Sequence, residues 1–444
     1  MFILVKGDRM RNIRIKRFGA VGDVSIDIDK SMQVLIGEQA SGKSTICKTI
    51  YYCLKIRDYT LDYLMDKEQF TNNSSDEYFN NYMRYLQKKF MGCFGKTRHM
   101  SRFEIRYEFN NGEILIKQNR DGFVHFTYSA DLKNRIQFLI NDADKMYHRG
   151  VSENISSVFD QMQTLAIMKN HFKDNLRQIF DCASEIVYIP AGRSLLASMS
   201  EQLDFSISDM DLTMQEFIAL IRKTKSSFGS KIPDIKEEYL KTVKGKIDEE
   251  ALNSAYDLIR KILKADYICD NEGEKIYFDK NHWVKLMYGS SGQQEILWIL
   301  LLAYVFILEK RRTFFIIEEP EAHLFPKAQK YVIELIALMS NVTQSNTIIT
   351  THSPYILTSL NILLFSHKVE GEQRNCEIIP YNRRLDYSRF GAFMVDGSKR
   401  DGNMVDLLDD ETNMIDTEYI DSVSSICNEE LNSLIDKEIA DDMQ

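Results

Sequence analysis

The run Gly37-Glu38-Gln39-Ala40-Ser41-Gly42-Lys43-Ser44-Thr45 has the spacing Gly-x-x-x-x-Gly-Lys-Ser/Thr. Such a run holds phosphate when it follows a buried strand and opens a helix, because backbone N–H groups and the helix N-terminus then face the anion. Gly37 and Gly42 let backbone wrap tightly where a side chain would clash. Lys43 would neutralise the β- and γ-phosphates, the Ser44 hydroxyl would ligate Mg²⁺, and Thr45 adds a second hydroxyl in the same turn. The setting is present: Val34-Leu35-Ile36 reads as a short apolar strand and Ile46 to Tyr52 as the helix. The first expectation is a nucleotide site.

Three further segments carry suitable chemistry. Phe314-Phe315-Ile316-Ile317 is an apolar strand that ends in Glu318-Glu319-Pro320-Glu321. Two carboxylates at the end of a buried parallel strand suit a metal and a base: Glu318 holding Mg²⁺ through water, Glu319 polarising the attacking water. Gly289-Ser290-Ser291-Gly292-Gln293-Gln294 opens an apolar helix, and small residues at a helix N-terminus favour an anion. Thr347 to Thr350 is a strand followed by His352, well placed to sense a γ-phosphate.

These residues need a sheet whose strands end together. Ile13 to Ile15 and Val24 to Ile28 read as a hairpin-like entry. Residues 55–95 have helical spacing, and a meander of antiparallel strands follows over about 100–130, with Asn110-Asn111-Gly112 and Asp121-Gly122 as turns. Glu185 to Ile189 is a short strand ending in Pro190-Ala191-Gly192-Arg193. Two or three helices fill about 195–265, and a hairpin turns at Asp270 to Gly273.

The 444 residues leave room for a large core. The longest apolar run, Ile296 to Leu308, is 13 residues, which suits a buried helix better than a membrane span. Seven cysteines without a Cys-x-x-Cys pair argue for a reducing compartment and against zinc, so a cytoplasmic protein with no membrane partner is expected. The net charge of −9 is uneven. From Asp406 onward thirteen acidic residues face one lysine, Lys437, leaving the body mildly basic.

The order phosphate loop, SSGQQE, FFIIEEPEAHLFPKAQ and TTHSPYIL resembles the ABC-type ATPases of the SMC, RecF and OLD superfamily. The last two segments look closest to OLD-like AAA ATPases of bacterial anti-phage systems such as Septu, PARIS and abortive-infection modules. The resemblance implies an α/β fold: a P-loop ABC-type ATPase head with a mixed central sheet, an antiparallel β-subdomain and a short helical insertion, spanning 1–400. It implies ATP and Mg²⁺ as cofactors and a composite site between two heads. Ser291, Gly292 and Gln294 would then act in trans on the partner's γ-phosphate, with His352 as the switch histidine. This chain departs from that pattern twice. Glu318 stands where many relatives have Asp, and Pro190 to Arg193 replaces the usual Gln, so Arg193 is expected at the nucleotide or the interface.

Ninety residues follow Pro354, and Val395-Asp396-Gly397 lacks a second Asp at nuclease spacing. The expectation is a sensor or scaffold, dimeric or larger, that gates a separately encoded effector such as a nuclease or toxin. The alternative is a RecF-like repair ATPase that clamps DNA directly. The acidic stretch 405–444 is expected to be a helical tail, with Ile420, Val423, Cys427, Leu431, Leu434 and Ile439 near one side.

Overall fold

The chain enters through an antiparallel pair, β1 (Asn12–Phe18) and β2 (Val21–Asp27), and runs into β3 (Met32–Ile36). The computed structural model describes residues 11–70, 75–152, 158–198, 209–242, 247–371, 378–397, 403–417 and 427–435. After the helices Lys43–Met65 and Ser75–Phe94 come β4 (Glu104–Phe109), β5 (Gly112–Gln118) and β6 (Val124–Tyr128). These extend the entry pair into a five-stranded antiparallel sheet in the order β2-β1-β4-β5-β6. The expected meander is therefore present. Its second turn is closed by the Asn119 carboxamide oxygen, which accepts from the N–H groups of Asp121 and Phe123.

Two further helices, Ala130–Ser152 and Val158–Ile179, lead to β7 (Glu185–Ile189). The expected insertion follows as a short helix, Ser194–Ser198, and three longer ones, Leu212–Lys225, Ile232–Thr242 and Glu249–Leu263. β8 (Asp266–Asp270), β9 (Gly273–Tyr277) and β10 (Trp283–Lys285) form a small antiparallel sheet around the expected hairpin. The remaining strands, β11 (Thr313–Glu318), β12 (Asn346–Thr351), β13 (Phe390–Val395) and β14 (Met404–Asp406), complete the central sheet.

That sheet has six strands in the order β14-β13-β3-β12-β11-β7. Five run parallel and β14 is antiparallel, which makes it the expected mixed sheet. β3, β11 and β12 are buried at every residue, as parallel strands covered on both faces must be. Their period of two divides the apolar side chains between two cores. Val34, Ile36, Phe315, Ile317 and Ile349 join one core with the helices Ser291–Glu309 and Pro326–Thr343. Leu35, Phe314, Ile316 and Ile348 join the other with the helix Lys43–Met65 and the antiparallel sheet.

Among the described residues one helix, Ser291–Glu309, is long and apolar enough to cross a membrane, and it is packed inside the first core. Residues on either side of 398–402 meet in the central sheet. β14 pairs with β13, and Leu407 donates its N–H to the Ala392 carbonyl. Of the expected tail helix, residues 427–435 are helical and exposed throughout; Ile420, Val423 and Ile439 lie outside the described residues.

Candidate functional site

Strand register brings the functional segments to one edge. Ile36 lies opposite Thr351, Thr350 opposite Glu318, and Ile317 opposite Ile189. The phosphate loop, the acidic segment, the His352 segment and Pro190 to Arg193 therefore emerge side by side at the carboxyl ends of β3, β11, β12 and β7. In open parallel sheets this is where ligands bind.

The phosphate loop is shaped by its glycines. Gly37 has φ 153° and a side chain there would place Cβ 2.3 Å from the Val395 carbonyl oxygen. Gly42 has φ 107° and forms the N-cap of the helix Lys43–Met65 without any side-chain cap and with no acidic residue in the first turn. The helix N-terminus thus keeps its backbone donors and its positive dipole end for an anion. The Lys43 ammonium is buried in the loop, 2.8 Å from both the Gly37 and Glu38 carbonyl oxygens and 3.3 Å from Ser41 Oγ. Burial lowers its pKa, while the charges of Glu319, Glu321 and Glu318 raise it in opposition. Ser44 is exposed and Thr45 half-buried in the first helical turn.

Glu318 is a buried carboxylate at the end of β11. Its Oε2 accepts from the Ala191 N–H at 3.3 Å, and its Oε1 has no hydrogen-bond partner. The next residue turns sharply. Glu319 has φ 42°, a left-handed conformation unusual for a side chain of this size, pinned by its N–H to the Thr350 carbonyl oxygen at 3.1 Å and Oγ1 at 3.2 Å. The turn swings its side chain outward, where Oε1 lies 3.3 Å from His352 Nε2. A half-exposed carboxylate beside an imidazole can orient a water and accept its proton.

Arg193, expected at the nucleotide or the interface, lies with its side chain away from the surface of this chain. It is fully buried beneath the site, with its guanidinium donating to carbonyl oxygens of Glu295, Pro190, Glu318 and Glu319 at 2.7–3.0 Å. The Glu295 carboxylate lies 3.4 Å from Nη2 and also accepts the N–H groups of Arg193 and Ser194. Arg193 is a positioning residue: its planar fork fixes the backbone that carries both acidic residues.

Glu321 and Val395 were not singled out from sequence. Glu321 Oε1 accepts from Thr351 Oγ1 at 2.6 Å and from the His352 N–H at 2.9 Å, tying the acidic segment to the histidine segment. Burial raises its pKa, and the Thr351 and His352 hydrogen bonds pull it back down. The glutamate that follows Pro320 in the acidic run was the available signal. Val395 acts through its backbone carbonyl, for which no residue type gives a signal.

The Ser-Gly segment is built differently from an open anion site. Ser290 and Gln293 form a capping box, so part of the N-terminus of the helix Ser291–Glu309 is satisfied internally. The Gln294 amide donates to the Met287 and Gly289 carbonyl oxygens, each at 3.0 Å. Gly292 packs directly on the acidic loop, where a Cβ would stand 2.7 Å from the His323 carbonyl oxygen. Ser291 is exposed. None of their described hydrogen bonds reaches the phosphate loop of the same chain. Gly292→Ala is expected to force the helix start away from His323 and to cost about 1–3 kcal/mol, read from urea unfolding.

The donor set suits Mg²⁺, which takes oxygen ligands, keeps several waters and shares them with phosphates. Ser44 offers a hydroxyl and Glu318 an unpartnered carboxylate oxygen. Among the described residues no group of three or more His, Cys, Asp or Glu side chains forms a protein-only metal site.

The family model described as AAA ATPase domain matches residues 9–357. No curated protein matches the chain. Solved structures with a similar course include SMC head domains. One, bound to the C-winged helix domain of ScpA, has 15% identity and TM-score 0.37, covering 91% of this chain and 99% of that one. A second carries an extended coiled coil and is bound to the C-terminal domain of ScpA derived from Pyrococcus furiosus, with 16% identity and TM-score 0.39 over 90% and 96% of the two chains. A third, from Thermotoga maritima, has 11% identity and TM-score 0.35 over 90% and 98%. The family match spans most of the sequence and includes the phosphate loop, the acidic strand end and His352: the chain belongs to the AAA ATPase domain family.

Proposed function

We propose that the chain binds and hydrolyses ATP and uses the bound nucleotide to join two copies of itself, gating a separately encoded effector of an anti-phage system. The observation that carries the catalytic part is the convergence of Lys43, Glu318, Glu319 and His352 at adjacent strand ends. Lys43 and the uncapped helix N-terminus bind and neutralise the triphosphate. Ser44 and Glu318 would hold Mg²⁺, which when bound adds positive charge against the phosphate oxygens. Glu319 orients water and takes its proton as the new bond to the γ-phosphorus forms and the bond to the β-bridging oxygen breaks. His352 holds the Glu319 carboxylate in place.

The joining of two copies is supported by where apolar surface lies. Tyr288, Phe325 and Tyr355 are 73%, 77% and 53% exposed, and each adjoins one of the functional segments in sequence. Large exposed aromatics around a site mark an interaction surface. In the closed pair the exposed Ser291 of one copy would meet the γ-phosphate held by the other. The effector part rests on the resemblance of the acidic and histidine segments to OLD-like defence ATPases. Its test is to tag the Glu319→Gln chain in its native gene neighbourhood and identify what co-purifies by mass spectrometry. A stoichiometric nuclease or toxin is expected. A pair carrying only DNA would replace the gating role with a DNA clamp.

A further inference from the structure

The opposite end of the central sheet holds a second charged cavity, of about 600 Å³. It lies where β7 and β11 begin, at Glu185 and beside Arg311-Arg312, away from the strand ends that carry the nucleotide residues. Seven cationic side chains line it against three carboxylates. Some of the cations are spent internally. Arg57 donates to Asp58 and to the Cys182 carbonyl oxygen at 2.7 Å, and Arg311 pairs with Glu185 and Glu309. Lys169, Lys173, Lys223 and Arg312 have no ion pair or side-chain hydrogen bond among the described residues.

Their arrangement costs stability without a ligand. Lys169, Lys173 and Arg177 repeat every four residues along one face of the helix Val158–Ile179. Like charges at this spacing repel. Lys223, from the helix Leu212–Lys225, and Arg312, at the foot of β11, add charge from other walls. We propose that this cavity is a second anion site, which takes a nucleotide-sized small molecule bearing two or more phosphates. The volume falls in the range of small-molecule pockets, about 300–1,000 Å³. Asp58 and Asp62 on one wall would oppose a continuous nucleic-acid backbone, yet they can accept hydrogen bonds from the hydroxyl or amino groups of a small ligand. An occupant would bridge the later turns of the helix that starts at Lys43 to the foot of the strand that ends at Glu318, which gives it a route to the ATPase site.

Calorimetric titration of the full chain with inorganic tripolyphosphate tests this. The unmodified chain is expected to take up two equivalents, one at the phosphate loop and one in the cavity. Lys43→Ala should remove the first and leave the second. Adding Lys169→Glu and Lys173→Glu, both exposed positions, should weaken the remaining site at least tenfold without lowering the melting temperature, since the repulsion along the helix is relieved. Absence of any binding in the Lys43→Ala chain, or equal affinity after the two charge reversals, would overturn the proposal. So would displacement by duplex DNA with an affinity that grows with duplex length, which would make the cavity part of a nucleic-acid groove. If the phosphate-loop reading were wrong instead, the unmodified chain would take up one equivalent, insensitive to Lys43→Ala and lost on charge reversal.

Discussion

Glu319→Gln is expected to lower the turnover number for ATP by about 10²- to 10⁴-fold, the usual contribution of a general base, while ATP still binds. The carboxamide has nearly the shape of the carboxylate but cannot take a proton from water. Apart from the contact with His352 and the field at Lys43, the site is held together by other groups. Lys43 is held by loop carbonyls, Glu318 by the Ala191 N–H, and the turn at 319 by its own N–H to Thr350. The side chain is 40% exposed, so its replacement leaves the core intact and stability should change by no more than about 0.5 kcal/mol. Single-turnover hydrolysis and filter binding with labelled ATP separate the two effects. Loss of binding together with turnover would show that Glu319 supports the nucleotide rather than the water.

Arg193→Met is expected to destabilise the fold by about 3–5 kcal/mol, the range for breaking a buried charged network from one side. Methionine fills much of the same volume, so the loss is in hydrogen bonds rather than packing. Four carbonyl oxygens lose their donor, and the buried Glu295 carboxylate keeps only two backbone N–H groups. Burial already pulls the guanidinium pKa down against the nearby carboxylates, so the charge sits there at a cost that the hydrogen bonds offset. Arg193→Lys should recover only part of the stability, because one ammonium cannot reach four acceptors on three segments. Urea unfolding measures both variants. Turnover of any folded fraction should fall as well, since the carbonyls released belong to Glu318 and Glu319. Parent-like stability in Arg193→Met would remove the positioning role.

What the sequence revealed and what it concealed follow from the range of the interactions. The phosphate loop is encoded in one continuous run, Val34 to Tyr52, strand, turn and helix together, and local spacing suffices to find it. The same holds for Glu318 and Glu319, which follow an apolar strand directly, and for His352. The bracing role of Arg193 was hidden because it depends on acceptors more than a hundred residues away in sequence. A Gly-Arg pair after a strand end looks equally ready to contact a ligand or to brace a neighbour. Gly292 shows the same ambiguity: spacing marks it as part of an anion-binding turn, while the fold uses it for close approach to His323. The sheet edge was hidden for another reason. β13 and β14 lie where polar residues and glycines interrupt the apolar pattern, and the pairing of β13 to β3, on which β14 in turn depends, is non-local. The helices Ala130–Ser152 and Val158–Ile179 carry mixed polar and apolar faces that a search for catalytic spacing passes over.

One bound ATP per chain is expected to close a site between two copies. Light scattering of the Glu319→Gln chain, with and without ATP and Mg²⁺, measures it directly. The predicted result is a mass near that of one 51.8 kDa chain without nucleotide and twice that value with it, at one ATP per chain, reverting to the single-chain mass in a Ser291→Arg background. A mass that stays at one chain while ATP is bound stoichiometrically would contradict the account.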